Sequence, residues 1–157
     1  MRTGALTMPR RTVAVAMSGG VDSSTAAALL ADRGYAVVGM TMVVAAGMRQ
    51  AVADAQRVAR SLRIEHVAVD CTERFREHVI EDFCGQYRCG RTPNPCIRCN
   101  DRVKFGLLLD EAARLGADFF ATGHYARIER SGDGGLFRLL PGVDSRKDQS
   151  YFLYRLD

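Results

Sequence analysis

"AMSGGVDSST", residues 16–25, decides how this chain folds. It grows out of "TVAVAM" (12–17), a short apolar run with valine at alternate positions, the pattern of a buried strand. It leads into "VDSSTAAALLADRG" (21–34), rich in alanine and leucine and closed by Gly34, the pattern of a helix. Between the two, Gly19 and Gly20 let the backbone turn sharply and approach a ligand closely. The following helix aims its free amides and positive dipole end at the same spot, which suits a phosphate or pyrophosphate. Ser18, Ser23 and Ser24 add hydroxyls, and Asp22 either caps the helix or holds a Mg²⁺ on the phosphate. No lysine completes a Walker loop, and the three spaced glycines of a dinucleotide fingerprint are missing. A bare Ser-Gly-Gly reads equally well as a tight turn without a ligand; the whole of "SGGVDSS" after a buried strand favours a phosphate.

Outward from this stretch, strands and helices alternate. "AVVGMTMVV" (36–44) reads as a second buried strand, "EHVAVD" (65–70) as a third strand and "DFFAT" (118–122) as a fourth. Ala51, Val52, Ala55, Val58, Ala59 and Leu62 recur at helical spacing. "TERFREHVIEDFCGQY" (72–87) is helical with Thr72 as its cap. "RCGRTPNPCIRCN" (88–100) reads as a loop, and "DRVKFGLLLDEAARLG" (101–116) as a helix capped by Asn100. "YARIER" and "LFRLLPG" flank "SGDGG" as a hairpin, and "SRKDQSYFLYRLD" (145–157) looks helical. Alternation of this kind implies an α/β fold, a parallel sheet with helices on both faces and a Rossmann-like architecture. Ligands of such sheets sit at the carboxyl ends of the strands, where the glycines lie.

The 157 residues suffice for one domain, read as a flexible N-terminus (1–11) and a folded domain (12–157). No apolar run is long enough to span a bilayer, and the basic start lacks the apolar core of a signal peptide, so a cytoplasmic location is expected. The net charge is +4, and all 22 basic residues except Lys104 and Lys147 are arginines, which suits an acidic partner rich in phosphate. Five cysteines, Cys71, Cys84, Cys89, Cys96 and Cys99, are an odd number with four crowded together. Without a secretion signal they point to chemistry or metal rather than a disulfide framework.

"SGGVDSS" resembles the pyrophosphate loop of the ATP pyrophosphatases, which cleave ATP to AMP and pyrophosphate while adenylating a substrate. "GRTPNPCIRCNDRVKFG" (90–106), "ATGHYARI" (121–128) and "DSRKDQSYFL" (144–153) narrow the resemblance to the tRNA-specific 2-thiouridylases. Those enzymes exchange oxygen for sulfur at C2 of the wobble uridine of tRNA. The resemblance runs from about residue 12 to 157 and implies an adenine-nucleotide alpha-hydrolase-like fold and an ATP- and Mg²⁺-dependent sulfurtransferase acting in tRNA modification. It implies an ATP site at Ala16, Met17, Ser18, Gly19, Gly20, Val21, Asp22 and Ser23, with Met42 and Gly123. Cys99 matches the catalytic cysteine. Asn94, Pro95 and Cys96 match the segment facing the target base, and His124, Lys147, Asp148 and Gln149 match tRNA contacts. The implied partners are a tRNA with a wobble uridine and a persulfide donor protein, and no membrane.

Cys99, placed before a helix and near Arg91, Arg98 and Arg102, is expected to hold a lowered thiol pKa. Lys104 is expected to offset charge on the phosphates or leaving group. The chain departs from the family pattern twice. Cys96 stands where better-known members carry an acidic residue, making Cys96 and Cys99 a Cys-x-x-Cys pair. That pair opens three readings: a persulfide route with Cys96 and Cys99 as catalytic residues, an iron–sulfur site of the [4Fe-4S] type held by Cys96, Cys99 and a further cysteine, and a zinc site using Cys84, Cys89, Cys96 and Cys99. The family also continues past this length with a second, persulfide-bearing cysteine, so truncation at the C-terminal end is expected, and a fragment of this length is expected to be inactive alone. Another adenylating enzyme with the same loop, or a non-catalytic nucleotide- or tRNA-binding module, are the competing functions.

Overall fold

The computed structural model describes residues 10–132 and 135–156. Residues 1–9 of the expected flexible N-terminus (1–11), residues 133–134 of the expected hairpin loop and residue 157 lie outside the described residues. Strands β1 (Thr12–Ala16), β2 (Ala36–Val43), β3 (Glu65–Asp70) and β4 (Phe119–Thr122) form one parallel sheet in the order β3-β2-β1-β4. β1 is central, pairing Val13 with Val37 on one side and with Phe119 on the other. A parallel sheet must bury both faces, and the alternation of β1 shows how. Val13, Val15 and Met17 pack on one face against Ala27 of helix α1 (Val21–Asp32) and Ala55 of helix α2 (Arg49–Leu62). Ala14 packs on the other face with Met40, Leu108 and Ala112. Arg10 and Arg11 are held at the sheet: the Arg10 side chain donates to the Gly34 carbonyl, and the Arg11 carbonyl accepts from Ala36 at 3.0 Å.

The second face is covered by two longer helices. Segments Thr72–Phe75, Arg76–Glu81 and Asp82–Arg88 run on as α3 (72–88), and Pro95–Arg98, Cys99–Leu108 and Leu109–Arg114 as α4 (95–114). The middle segment of each widens into π-helical turns. Thr72 does not cap α3 with its side chain; Asp70 Oδ1 accepts its backbone amide at 2.9 Å instead. α4 begins at Pro95, not after Asn100, so the expected loop is shorter. Asn94 is the cap, its side chain accepting from the Cys96 amide at 3.1 Å, and proline at the first helical position costs no hydrogen bond. Asn100 lies inside the helix and reaches across to the Phe152 carbonyl at 3.1 Å.

The expected hairpin forms: β5 (Ala126–Arg130) pairs antiparallel with β6 (Phe137–Pro141). The expected helix at 145–157 does not. Among the described residues of that stretch only Ser150–Leu153 closes a short 3₁₀ turn. Asp148 is the reason: it accepts from the Gly142 amide (2.7 Å), the Ser150 amide (3.1 Å) and the Ser150 hydroxyl (2.8 Å). A short polar side chain that bonds nearby backbone in this way competes with helix.

Candidate active site

The turn after β1 sits at the carboxyl edge of the sheet, as expected. Gly19 takes a left-handed backbone (φ +79°), and a Cβ there would lie 2.8 Å from Asp54 Cβ, so only glycine fits between the loop and α2. Gly20 is the N-cap of α1 with ordinary extended backbone and no side-chain cap. Of the serine hydroxyls expected as ligand donors, those of Ser23 and Ser24 are spent in bracing the loop, while Ser18 Oγ accepts from the Gly20 amide at 3.4 Å and keeps its proton. Ser23 Oγ accepts from the Ser18 amide (3.2 Å) and donates to the Gly20 carbonyl (3.3 Å), which also accepts from Ser24 Oγ (2.7 Å). The donors left are the Ser18 hydroxyl and the backbone amides of the first turn of α1, as at any helix start. Asp22 does not cap the helix; its Oδ1 accepts from the Tyr125 hydroxyl at 2.7 Å. Gly123 lets the end of β4 touch α1: a Cβ there would lie 2.7 Å from the Ser23 amide nitrogen.

Above this loop opens a chamber of about 250 Å³, lined by Ala16, Met17, Ser18, Asp22, Ser23 and, from other strands and helices, Met42, Gly123 and Lys104. Thr41, Thr122 and Leu108 also line it and were not singled out from sequence. Thr41 adjoins Met42 at the carboxyl end of β2, so the strand-end rule carried that signal. Beside it lies a second chamber of about 320 Å³ holding Cys96, Cys99, Asn100 and Phe152. Lys104, His124 and Gln149 line both. The two chambers therefore meet at a shared wall.

α4 builds that wall. Cys96 and Cys99 stand on its first turns, and Lys104 follows five residues after Cys99 in the π-helical segment. An i to i+5 repeat brings such residues onto one face. Lys104 Nζ is 3.3 Å from His124 Nε2, and Thr122 Oγ1 is 2.7 Å from His124 Nδ1. Lys104 has only protons to offer, so Nε2 accepts and Nδ1 carries the ring proton toward Thr122. Burial and, after it, the Lys104 charge push His124 down from 6.5 to about 4, keeping the ring neutral. Phe105 stacks on the ring with centroids 6.1 Å apart.

The expected lowering of the Cys99 thiol pKa is overturned. Burial pushes Cys99 above its ordinary value; Lys104 opposes this, and Cys96 adds to it. Cys99 lies inside α4 rather than before it, so it does not sit at a helix N-terminus. Arg98 and Arg102 are occupied with Asp82 and Asp101, at 3.2 Å and 3.3 Å. Lys104 is the cation that acts on Cys99; burial in turn pushes the Lys104 pKa down.

Asn94 and Pro95 form the start of α4, next to Cys96. Gln149 joins the wall to the hairpin, its Oε1 accepting from the Tyr125 amide at 3.1 Å. Lys147 is outside, its ammonium 5.9 Å from the Tyr125 ring centre, and Asp148 is committed to its turn. Among the described residues no group of three His, Cys, Asp or Glu side chains gathers to hold a metal. Only Cys96 and Cys99 share a chamber. Cys71 is buried in the apolar cluster that Cys99 packs against, its thiol pushed up to about 11 mainly by burial, and Cys84 and Cys89 are exposed. The residues present do not fit the four-cysteine zinc site or a cluster needing a third thiolate.

Comparison with known proteins bears on this arrangement. The chain is 54% identical over 144 residues to the tRNA-specific 2-thiouridylase MnmA of Syntrophomonas wolfei, covering 92% of this chain and 42% of that protein. It is 51% identical to MnmA of Geobacter metallireducens, covering 94% and 44%. The chain thus spans less than half the length of these curated relatives. Among solved structures, the U34-tRNA thiolase NcsA of Methanococcus maripaludis with its [4Fe-4S] cluster aligns with a TM-score of 0.54 at 21% identity, covering 73% of this chain and 39% of that one. The NH3-dependent NAD synthetase of Campylobacter jejuni aligns at 0.51 and 20% identity, covering 71% and 47%. At these identities both share the fold. No described helix is long and apolar enough to cross a membrane. The family model described as the tRNA methyl transferase HUP domain matches residues 11–157, nearly the whole chain, and the chain belongs to that family.

Proposed function

We propose that this chain is the nucleotide-binding and thiol-bearing part of a tRNA-specific 2-thiouridylase, acting in the cytoplasm on tRNA with a wobble uridine. The observation that carries the reading is the shared wall: Lys104, His124 and Gln149 line both the glycine-loop chamber and the cysteine chamber. One chamber suits ATP and the other a sulfur nucleophile, so a base reaching the wall meets both. The names of the relatives favour the same activity.

In this reading Gly19, Gly20 and the first amides of α1 cradle the phosphates of ATP, and Asp22 helps hold the accompanying Mg²⁺. Ala16, Met17 and Met42 line the same chamber. The uridine C2 oxygen attacks the α-phosphorus, and pyrophosphate leaves. The terminal sulfur of a persulfide, passed from the donor to the second cysteine that the family carries, then attacks C2. AMP departs with the original oxygen. The Cys99 thiolate cuts the remaining S–S bond, leaving sulfur on C2 and a disulfide between the two cysteines to be reduced. Lys104 steadies the thiolate and the departing phosphate, and neutral His124 keeps Lys104 aimed. Asn94, Pro95 and Cys96 border the base, and Lys147 with Gln149 and its turn meets the tRNA backbone. The persulfide route is favoured over a cluster because, among the described residues, no third cysteine joins Cys96 and Cys99 in the chamber.

The test is nucleoside mass spectrometry of tRNA treated with the protein carrying this sequence, ATP and a persulfide donor, prepared without oxygen or added iron. Formation of 2-thiouridine at the wobble position supports the proposal. Thiolation that appears only after iron–sulfur reconstitution overturns the persulfide route, and no thiolation in either state overturns the function.

A further inference from the structure

His66 on β3 lies outside the reaction proposed above, yet it reaches the glycine loop through one intermediary. Thr41 on β2 donates its hydroxyl proton to the Met17 carbonyl at 2.8 Å, the last carbonyl before Ser18. His66 Nε2 is 2.8 Å from the same hydroxyl oxygen. A threonine hydroxyl has one proton, and it is spent on Met17, so His66 must donate from Nε2. The ring is then the Nε2–H form, with Nδ1 left as an acceptor. Nδ1 is buried and has no hydrogen-bond partner. An orphaned buried acceptor carries a cost that a purely packing residue would not incur, since an apolar ring would fill the space without it.

Gly39 gives this ring its place. A Cβ at Gly39 would lie 2.7 Å from Met17 Sδ and 3.1 Å from His66 Cδ2. The missing side chain lets His66 and Met17 close over β2 from either side. Thr41 itself is 1% exposed and lines the loop chamber, as Met17 does. The chain of bonds His66–Thr41–Met17 thus crosses three strands and ends at the residue from which the loop departs.

We propose that His66 is a positioning residue for the nucleotide: by donating to Thr41 it fixes the hydroxyl that pins the Met17 carbonyl, and so sets the direction in which the Ser18–Gly20 backbone leaves β1. This rests on the reading that the loop binds ATP. Replacing the imidazole by a ring without a donor leaves the Thr41 oxygen free to rotate away from Met17, and the loop loses its aim while the sheet stays paired.

The experiment measures ATP affinity by calorimetry and melting temperature for the whole protein and four variants, His66→Phe, His66→Gln, Thr41→Val and the His66→Phe/Thr41→Val pair. His66→Phe is expected to weaken ATP binding about tenfold, the loss of one buried hydrogen bond. His66→Gln, whose amide nitrogen overlays Nε2, restores affinity to within about threefold of the parent. His66→Phe in a Thr41→Val background adds no further loss, because both act through the same hydroxyl. Parental ATP affinity in a His66→Phe protein with a lowered melting temperature overturns the proposal and leaves His66 a packing residue. Equal loss in His66→Gln and His66→Phe also overturns it. A parent that binds no ATP refutes the nucleotide reading itself, and this one with it.

Discussion

Lys104 Nζ lies 3.3 Å from His124 Nε2, a cation against the acceptor nitrogen of a buried ring, at the wall between the two chambers. Burial, and after it the ammonium, keeps His124 from taking a second proton, and the ring nitrogen accepts from the ammonium at the wall that both chambers share.

That pair has a pH signature. His124 titrates near 4 in the fold against 6.5 when free, so the unfolded chain binds a proton that the folded one refuses. Stability is unaffected by this group above about 6.5 and falls as pH drops from there toward 4. The His124 ring signals in an NMR titration should move only at the acid end. In Lys104→Met the midpoint should shift upward; a midpoint that stays put would remove Lys104 as a cause.

The Cys99 thiol should be slow to alkylate at neutral pH, since burial raises its pKa above the ordinary 9.0. Lys104→Met should slow it further by removing the one attraction that favours the thiolate. Alkylation rates against pH, read by mass spectrometry of the Cys99 peptide, check both. A midpoint below the ordinary value would contradict the arrangement.

The two loop glycines should separate fold from binding. Gly19→Ala places a side chain in left-handed backbone and 2.8 Å from Asp54 Cβ, and should cost about 1–3 kcal/mol of stability. Gly20 has ordinary backbone and only Ser18 Oγ, at 3.4 Å, near its would-be Cβ. Gly20→Val should therefore fold near the parental melting temperature and lose ATP binding, because its side chain enters the face left for phosphate. Equal destabilisation of both variants, or full ATP affinity in Gly20→Val, would contradict this.

The sheet and the loop are legible because β1 and β2 are short apolar runs and the glycine turn follows the first of them directly. The position of Cys99 is not. Pro95 was read as part of a loop, although Asn94 and Pro95 together spell a capped helix start, and the helix moved both cysteines onto its first turns. The π-helical stretch that brings Lys104 under Cys99 leaves no mark in spacing read at 3.6 residues per turn. The charges of Arg98 and Arg102 looked available from sequence. Asp82, on α3, neutralises one of them across a distance in sequence that no local pattern records. The tail looked helical by composition, and Asp148 redirected it with three local bonds.

Binding of tRNA should weaken steeply with salt, as phosphate contacts release counterions. Lys147, exposed on the turn above the wall, should account for about one such contact, so Lys147→Ala should lower the slope of log affinity against log salt by about one. Filter binding across a salt series reads this directly, and an unchanged slope would remove Lys147 from the interface.

The two chambers are proposed to serve one reaction, adenylation of the wobble uridine followed by attack of sulfur. Cys99→Ser protein, ATP labelled at the α-phosphate, and tRNA with uridine or cytidine at the wobble position, without a sulfur donor, put this to the test. Label should accumulate on the uridine tRNA, stay off the cytidine tRNA, and be released as AMP when the parent protein and persulfide are added. Label that never joins tRNA, while ATP is cleaved at the same rate without it, would contradict the claim.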